Sequence, residues 1–234
     1  MDGRFPNAVL LAFVNCIDSS RIDEFDRFCD EVHLPDLQQS GMLTNAQRFV
    51  NADLQPGQPQ YLNVYETDFD VAEARKAFAE LRASLLAAGR MDAMKGMAES
   101  VAWGIFPSIG SKSTATARKP VRGLLVNSQD CKDPANEAAF SDWYSNVHIP
   151  DIFASGFFHS AYRYESEPGT VFAMADPVAG VLGKYINIYE TDLDPIEASN
   201  GIRGERAKWE ATGHTNDMGE IKLRALFRPV YPKS

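Results

Sequence analysis

The hexapeptide Glu31-Val32-His33-Leu34-Pro35-Asp36 returns as Asn146-Val147-His148-Ile149-Pro150-Asp151, so two of the chain's four histidines share one frame, each three residues ahead of an aspartate. Histidine is the side chain whose ordinary pKa lies nearest neutrality, which suits it to give or take a proton. A proline disfavours helical geometry at the residue before it, so the spacing predicts a helix that stops at the histidine. There the negative end of the helix dipole would favour imidazolium by about 0.3–1 kcal/mol. The expected acid/base group is thus His148 or its counterpart His33, with Asp151 or Asp36 as its orienting partner. A structural reading stands beside it, in which each histidine and aspartate only caps a helix end.

Further candidates lie on two near-identical strands, Tyr61-Leu-Asn63-Val-Tyr65 and Tyr185-Ile-Asn187-Ile-Tyr189. Alternation puts the tyrosines and asparagines on one face and the aliphatic residues on the other. If the aliphatic face lies under helices, the polar face looks into the space between sheets; the reverse arrangement brings it to the histidine. Tyr65 or Tyr189, with Asn63 or Asn187, would then steady a developing oxyanion, or else satisfy one another as buried hydroxyls and amides. Arg48 and Arg163 hold matching strand positions, where an inward guanidinium binds a substrate carboxylate or phenolate, or pairs with an acid such as Glu66 or Glu190. Around its histidine the later stretch adds Trp143, Tyr144, His159 and Tyr162, which suits it better to a flat aromatic substrate. The loop around 166–183 is a candidate lid.

Other chemistries find less support. Cys16, Cys29 and Cys131 form no CxxC pair, which speaks against a disulfide framework and a zinc site. Cys29 precedes His33 by one helical turn, but the matching position is Tyr144, so no thiolate mechanism is common to both stretches. Histidine and aspartate offer two ligands per cluster, so no metal site is expected; nor is a nucleotide cofactor, since no GxGxxG or GKS loop occurs. A net charge of -9 without a lysine/arginine run makes nucleic acid an unsuitable partner. The early apolar run 8–14 is too short for a bilayer, so no membrane partner is expected and the reading is cytoplasmic.

The elements that must position these residues are written twice. With His33 laid on His148, an offset of 115, Ser40-Gly41-Met42 falls on Ser155-Gly156-Phe157 and Gln47-Arg48-Phe49 on Tyr162-Arg163-Tyr164. After nine extra residues, 61–70 meets 185–194 with seven of ten positions identical, a match that predicts internal duplication. In each unit the hydrophobic spacing predicts strand, helix, two strands, helix and strand, the split βαβ or ferredoxin-like order. In the first unit the helices are expected to open at Ser20 and Asp70, and Gly201 with Gly204 predicts a kink in the last helix of the second. The expected organisation is an N-terminal unit, 1–107, a small polar linker, 108–120, and a C-terminal unit, 121–234. The fold class is α+β, two sheets covering each other in one barrel.

VHLPD (32–36) and VHIPD (147–151), the latter after Trp143-Tyr-Ser-Asn146, resemble the helix-ending segment of EthD-like proteins in the dimeric α/β-barrel superfamily. The resemblance spans nearly the whole chain and implies a tandem fusion of what is usually a homodimer. Members of that superfamily act as cofactor-free monooxygenases, polyketide cyclases, lactone isomerases, dehydratases and haem enzymes, so fold alone does not name a reaction. The function expected is cofactor-independent acid/base chemistry on a small aromatic or polyketide-like substrate, by a lyase, isomerase or cyclase. The alternatives are a cofactor-free monooxygenase and a non-catalytic binding or scaffold protein. A homodimer of the fused barrel is compatible with the resemblance.

Overall fold

The computed structural model describes residues 5–110, 119–166 and 182–231, with the backbone of 113–114 and 171–172. Strand β1 (Ala8–Cys16) leads to α1 (Ile22–Phe28), a π-turn (Cys29–His33) and α2 (Leu34–Gln38), then β2 (Asn45–Asn51), β3 (Tyr61–Thr67), α3 (Val71–Ala87) and β4 (Ala98–Pro107). After the short β5 (Ser113–Thr114) the order recurs as β6 (Gly123–Cys131), α4 (Glu137–Trp143), a π-turn (Tyr144–His148), α5 (Ile149–Ala154) and β7 (Ser160–Glu165). The chain closes with β8 (Val171–Phe172), β9 (Tyr185–Thr191), α6 (Pro195–Gly204), α7 (Arg206–Ala211) and β10 (Gly219–Tyr231).

All described strand pairings are antiparallel, in the order β5-β7-β9-β6-β10-β2-β3-β1-β4-β8. The two halves meet along β10 and β2. They meet again where Ser108 bridges Tyr164 and the Ile109 N–H donates to the Arg163 carbonyl at 2.9 Å. The second seam brings β4 and β7, from opposite ends of the strand order, together. The expected linker is therefore partly structural: Ser108, Ile109 and Ser113–Thr114 all bond to β7. Of the candidate lid, Val171–Phe172 pairs with Gly104–Trp103 of β4, on the other half from His148, and the rest lies outside the described residues.

Alternation along the strands sorts the core into three layers. Leu62, Val64, Ile186 and Ile188 fill the barrel with Phe13, Phe49, Phe106, Phe227, Tyr162 and Tyr164. Tyr61 and Tyr65 face outward beneath the first set of helices, with Phe25, Cys29 and Leu34. Tyr185 and Tyr189 lie beneath the second set with Phe140, Tyr144, Ile149 and Ile202. The polar strand face thus lies on the histidine side, and the catalytic candidates converge between sheet and helices.

Local chemistry explains the helix boundaries. Asp18 and Asp133, rather than Ser20, open the first helical segment of each half, accepting from the backbone N–H of Ser20 and Ala135 at 3.0 Å each. The competing signal is positional, since the cap belongs to the last extended residue before the turn. Asp70 and Glu73 form the reciprocal capping box at α3. Gly201 sits in close approach to the Phe157 ring, where an added Cβ would fall 2.1 Å from the nearest ring carbon. The helical run then breaks at Glu205 between α6 and α7. No helix of the described residues is long and apolar enough to cross a membrane.

Candidate functional site

The helix does not stop at His33. It passes through the π-turn and continues as α2, with the Leu34 N–H donating to the Cys29 carbonyl; Ile149 donates to Tyr144 in the same way. A proline lacks the N–H for an α-helical bond and crowds the carbonyl four residues back; widening one turn removes that conflict without ending the helix. The helix-end dipole that would favour imidazolium is therefore not at the histidine, and burial decides its charge. Desolvation pushes both His33 and His148 down to about 4, against the opposing pull of Asp36 and Asp151 and with the further push of Arg48 and Arg163. Both imidazoles are neutral at pH 7.

Among the described residues neither Asp36 nor Asp151 hydrogen-bonds its histidine. Asp36 accepts two bonds from Arg90 at 2.8 Å each, and Asp151 accepts from His214 Nδ1 at 2.8 Å. Arg90 and His214 each follow the glycine after the second long helical segment of their half, Gly89 and Gly213, so the aspartates tie the helix pair together at matching places. Their reach across to the neighbouring helix is a tertiary property that the local spacing His-x-x-Asp conceals.

Beneath the helices, cross-strand register lays one row of side chains across each half. In the N-terminal half it runs Arg48, Asn63, Ala12 and Trp103 over β2, β3, β1 and β4. In the C-terminal half the same row is Arg163, Asn187, Asn127 and Arg224 over β7, β9, β6 and β10. Two polar side chains thus stand where the first half has an alanine and a tryptophan.

The helices above carry the complementary difference. Arg48 pairs with Asp26 and, at 3.2 Å, with Asp30, while its guanidinium carbon lies 4.3 Å from the Tyr61 ring centroid. The positions 115 residues later are Ser141 and Ser145, and Arg163 donates to the Ser145 hydroxyl at 2.7 Å, the Ser141 carbonyl at 3.2 Å and the Ser141 hydroxyl at 3.3 Å. Its Nε–H donates to Asn187 Oδ1 at 3.3 Å. Neither arginine uses Glu66 or Glu190, which line the barrel interior with Gln47, Tyr162 and Tyr164.

Four aromatic rings surround His148. Trp143 stacks on it at 4.8 Å between centroids and 22° between planes, Tyr144 meets it edge-on at 4.8 Å, Trp209 at 6.1 Å and Tyr189 at 6.4 Å. The Tyr144 hydroxyl accepts from Asn127 Nδ2 at 3.2 Å, and the hydroxyl of Tyr189 adjoins it. Burial raises the pKa of both tyrosines, so both phenols stay neutral. Among the described residues Asn187 Nδ2 and Asn127 Oδ1 are buried without a hydrogen-bond partner in the same space. Among the described residues His33 has one ring neighbour, Phe28 at 6.2 Å, and the positions corresponding to Arg224 and Ile202 are Trp103 and Phe78, packed on each other at 5.4 Å.

Of the remaining expected residues, Tyr65 is buried beneath the helices, and among the described residues neither its hydroxyl nor Asn63 Oδ1 has a hydrogen-bond partner. Tyr162 packs in the barrel interior, on the face opposite His148, because it is one residue out of phase with Arg163. His159 bonds Ser160 Oγ at 3.0 Å, and its electrostatic neighbours are Asp192, Lys119 and the Pro120 backbone, so it lies away from His148 at the strand end. Cys29 is buried, and desolvation pushes its thiol up to about 12, which excludes a ready thiolate. Among the described residues no three of histidine, cysteine, aspartate and glutamate converge as a metal site. Sequence reading missed Arg224, Asn127, Ser141, Ser145 and Trp209. The signal for the two serines was present, since the aligned copies place them on Asp26 and Asp30.

No protein-family model matches the chain, and no curated protein matches it. Solved structures do. A proposed monooxygenase of Fusobacterium nucleatum subsp. nucleatum ATCC 25586 superposes with a TM-score of 0.61 at 12% identity, covering 97% of this chain and 94% of that one. An anthrone oxidase-like protein gives 0.63 at 10%, covering 96% and 91%. A dye-decolorizing peroxidase of Bacteroides thetaiotaomicron VPI-5482 gives 0.62 at 11%, covering 97% and 93%. At such identities the likeness concerns architecture, and the chain has the dimeric α+β-barrel fold.

Proposed function

We propose that the chain is a cofactor-independent enzyme that acts on a small aromatic or polyketide-like compound in the C-terminal half, with His148 as the proton acceptor. The observation that carries this reading is the aromatic enclosure of His148 over a floor of buried amides: flat apolar walls, few polar groups, and a neutral imidazole among them. In the same reading the barrel is a tandem fusion of two ferredoxin-like repeats, 1–107 and 121–234, around the connecting segment 108–120.

A neutral imidazole has a free lone pair, and negative charge developing beside it raises its basicity. Loss of a C–H proton to His148 leaves a carbanion whose electron pair spreads onto a neighbouring oxygen, where the N–H of Asn187 and the O–H of Tyr189 are the available donors. Two outcomes are open to that carbanion. Reprotonation or elimination makes the enzyme an isomerase, cyclase or lyase. Addition of dioxygen at carbon gives a hydroperoxide, which loses water to leave a new carbonyl; one oxygen atom stays in the product, the other leaves as water, and the substrate supplies all four electrons. The names of the neighbours, a monooxygenase and an anthrone oxidase-like protein, favour the second course.

Incubation with anthrone and with hydroxylated naphthalenes, following oxygen uptake and products by mass spectrometry, tests this. Oxygen-dependent product that disappears in His148→Ala and persists in His33→Ala is the expected result. Conversion that proceeds without oxygen supports the lyase or isomerase course. Binding without any conversion across the panel leaves a small-molecule-binding protein.

A further inference from the structure

We infer that the C-terminal site takes its substrate as an aromatic oxyanion, a carboxylate or a phenolate, held between the guanidinium groups of Arg163 and Arg224. The inference deepens the functional reading above and rests on it for the location of the site.

The argument begins with charge balance. A buried cation without an anion is costly, and folded proteins neutralise it with a carboxylate or a ligand. Arg48 meets that demand internally through Asp26 and Asp30. Arg163 is only 6% exposed, and among the described residues it makes no ion pair; every partner of its N–H groups is a neutral hydroxyl, carbonyl or amide. The nearby acid of its own strand, Glu165, is bound to Lys184 at 3.2 Å.

The second guanidinium compounds the imbalance. Arg224 lies at the far end of the same cross-strand row, so Asn187 and Asn127 span the interval between the two arginines. Three strand spacings make that interval about 14 Å between backbones, and the guanidinium of Arg163 lies under Ser141 and Ser145 while that of Arg224 lies under Ser199 of α6. Arg224 donates to Ser199 Oγ at 3.3 Å, is paired with no carboxylate among the described residues, and has Arg203 as a further cationic neighbour. The tyrosines between them stay protonated and His148 stays neutral, so no group of the site itself supplies the missing anion. A protein with a net charge of -9 thus carries a locally cationic floor beneath aromatic walls. An aromatic ring against Trp143 and Trp209 with its oxyanion toward the arginine row satisfies both.

The test uses the intact protein and two probes of one shape, 2-naphthoate and its neutral amide 2-naphthamide, read by quenching of tryptophan fluorescence. Naphthoate is expected to bind at least about tenfold more tightly. A parallel series of 2-naphthol above and below its ionisation distinguishes phenolate from carboxylate recognition. Arg224→Gln is expected to remove most of the preference, and the pair Ser141→Asp with Ser145→Asp, which carries over the acids of the first half, to remove it while thermal melting shows the fold retained. Equal affinity for acid and amide in the unaltered protein overturns the inference, as does a preference that survives both sets of substitutions in folded protein. Because binding is read without turnover, the two readings fail separately. Conversion of neutral compounds without anion preference sinks only this inference, and anion preference without conversion of any compound sinks only the enzymatic one.

Discussion

Arg48 and Arg163 occupy matching strand positions, each donating into a helix overhead, yet one meets two aspartates and the other two serines. The exchange is confined to the side chains of one helical face, and the backbone around it is the same: strand, helix, π-turn with histidine, strand. What differs is the electrostatic state of the space beneath. The first half is closed, its arginine neutralised and its remaining room filled by Trp103 on Phe78. The second is cationic, floored by amides and ringed by aromatics. Within one barrel, one half therefore has the features of a support and the other those of a site.

The largest expected contrast lies in turnover. Loss of a positioned acid/base group lowers rate by about a hundredfold to ten-thousandfold, so His148→Ala should abolish most activity and His33→Ala should leave it within a few-fold. Equal losses, measured as kcat on folded protein, would break the division between halves.

Stability should show the opposite asymmetry. Removing the acids from Arg48 by Asp26→Asn with Asp30→Asn leaves a buried cation unpaired, and about 3–5 kcal/mol of unfolding free energy is expected to go. Replacing Ser141 and Ser145 by alanine removes hydroxyl acceptors of a guanidinium that keeps the Ser141 carbonyl and Asn187, so only about 1.5–3 kcal/mol is expected to go. Chemical denaturation of the two double variants reads the difference, and a smaller loss in the first would contradict the charge-balance account.

A smaller effect sharpens the comparison at the second helix. Gly201 lies against Phe157, whereas the positions 124 and 115 residues earlier are Ala77 and Met42. Gly201→Ala forces the ring to move and is expected to cost about 1–3 kcal/mol. Ala77→Gly should cost only about 1 kcal/mol through helix propensity. Reversal of that order in melting experiments would place the tighter packing in the wrong half.

The histidines are the feature in which the halves should agree. Both fold to a neutral state with pKa about 4, against about 6.5 in the unfolded chain. Above about pH 6.5 neither state binds a proton and this contribution is constant. As pH falls from about 6.5 toward about 4 the unfolded chain takes up protons first, so stability falls, levelling once both states are protonated. His33→Gln and His148→Gln should each flatten that slope by a similar amount in equilibrium unfolding between pH 4 and 7. Flattening by only one of them would show that the two rings differ in burial after all.

Much of this architecture is legible in the sequence. Alternation in Tyr61–Tyr65 and Tyr185–Tyr189, the capping pair Asp70 and Glu73, and the repeated order of elements are local signals, and strands and helices read them at short range. The same locality misled at Pro35 and Pro150, where a helix break was expected and a π-turn absorbs the proline instead. It misled again at Asp36 and Asp151, whose partners Arg90 and His214 are 54 and 63 residues away.

The sequence by itself determined periodicity, the doubled order of elements and the residue types placed at matching positions, because each of these follows from spacing along one chain. Only the tertiary structure decided which strand face meets the helices, that Arg163 and Arg224 share one row, and that burial rather than a helix end sets the charge of His33 and His148. Those properties depend on cross-strand register and on the exclusion of water, and neither exists until distant segments have packed.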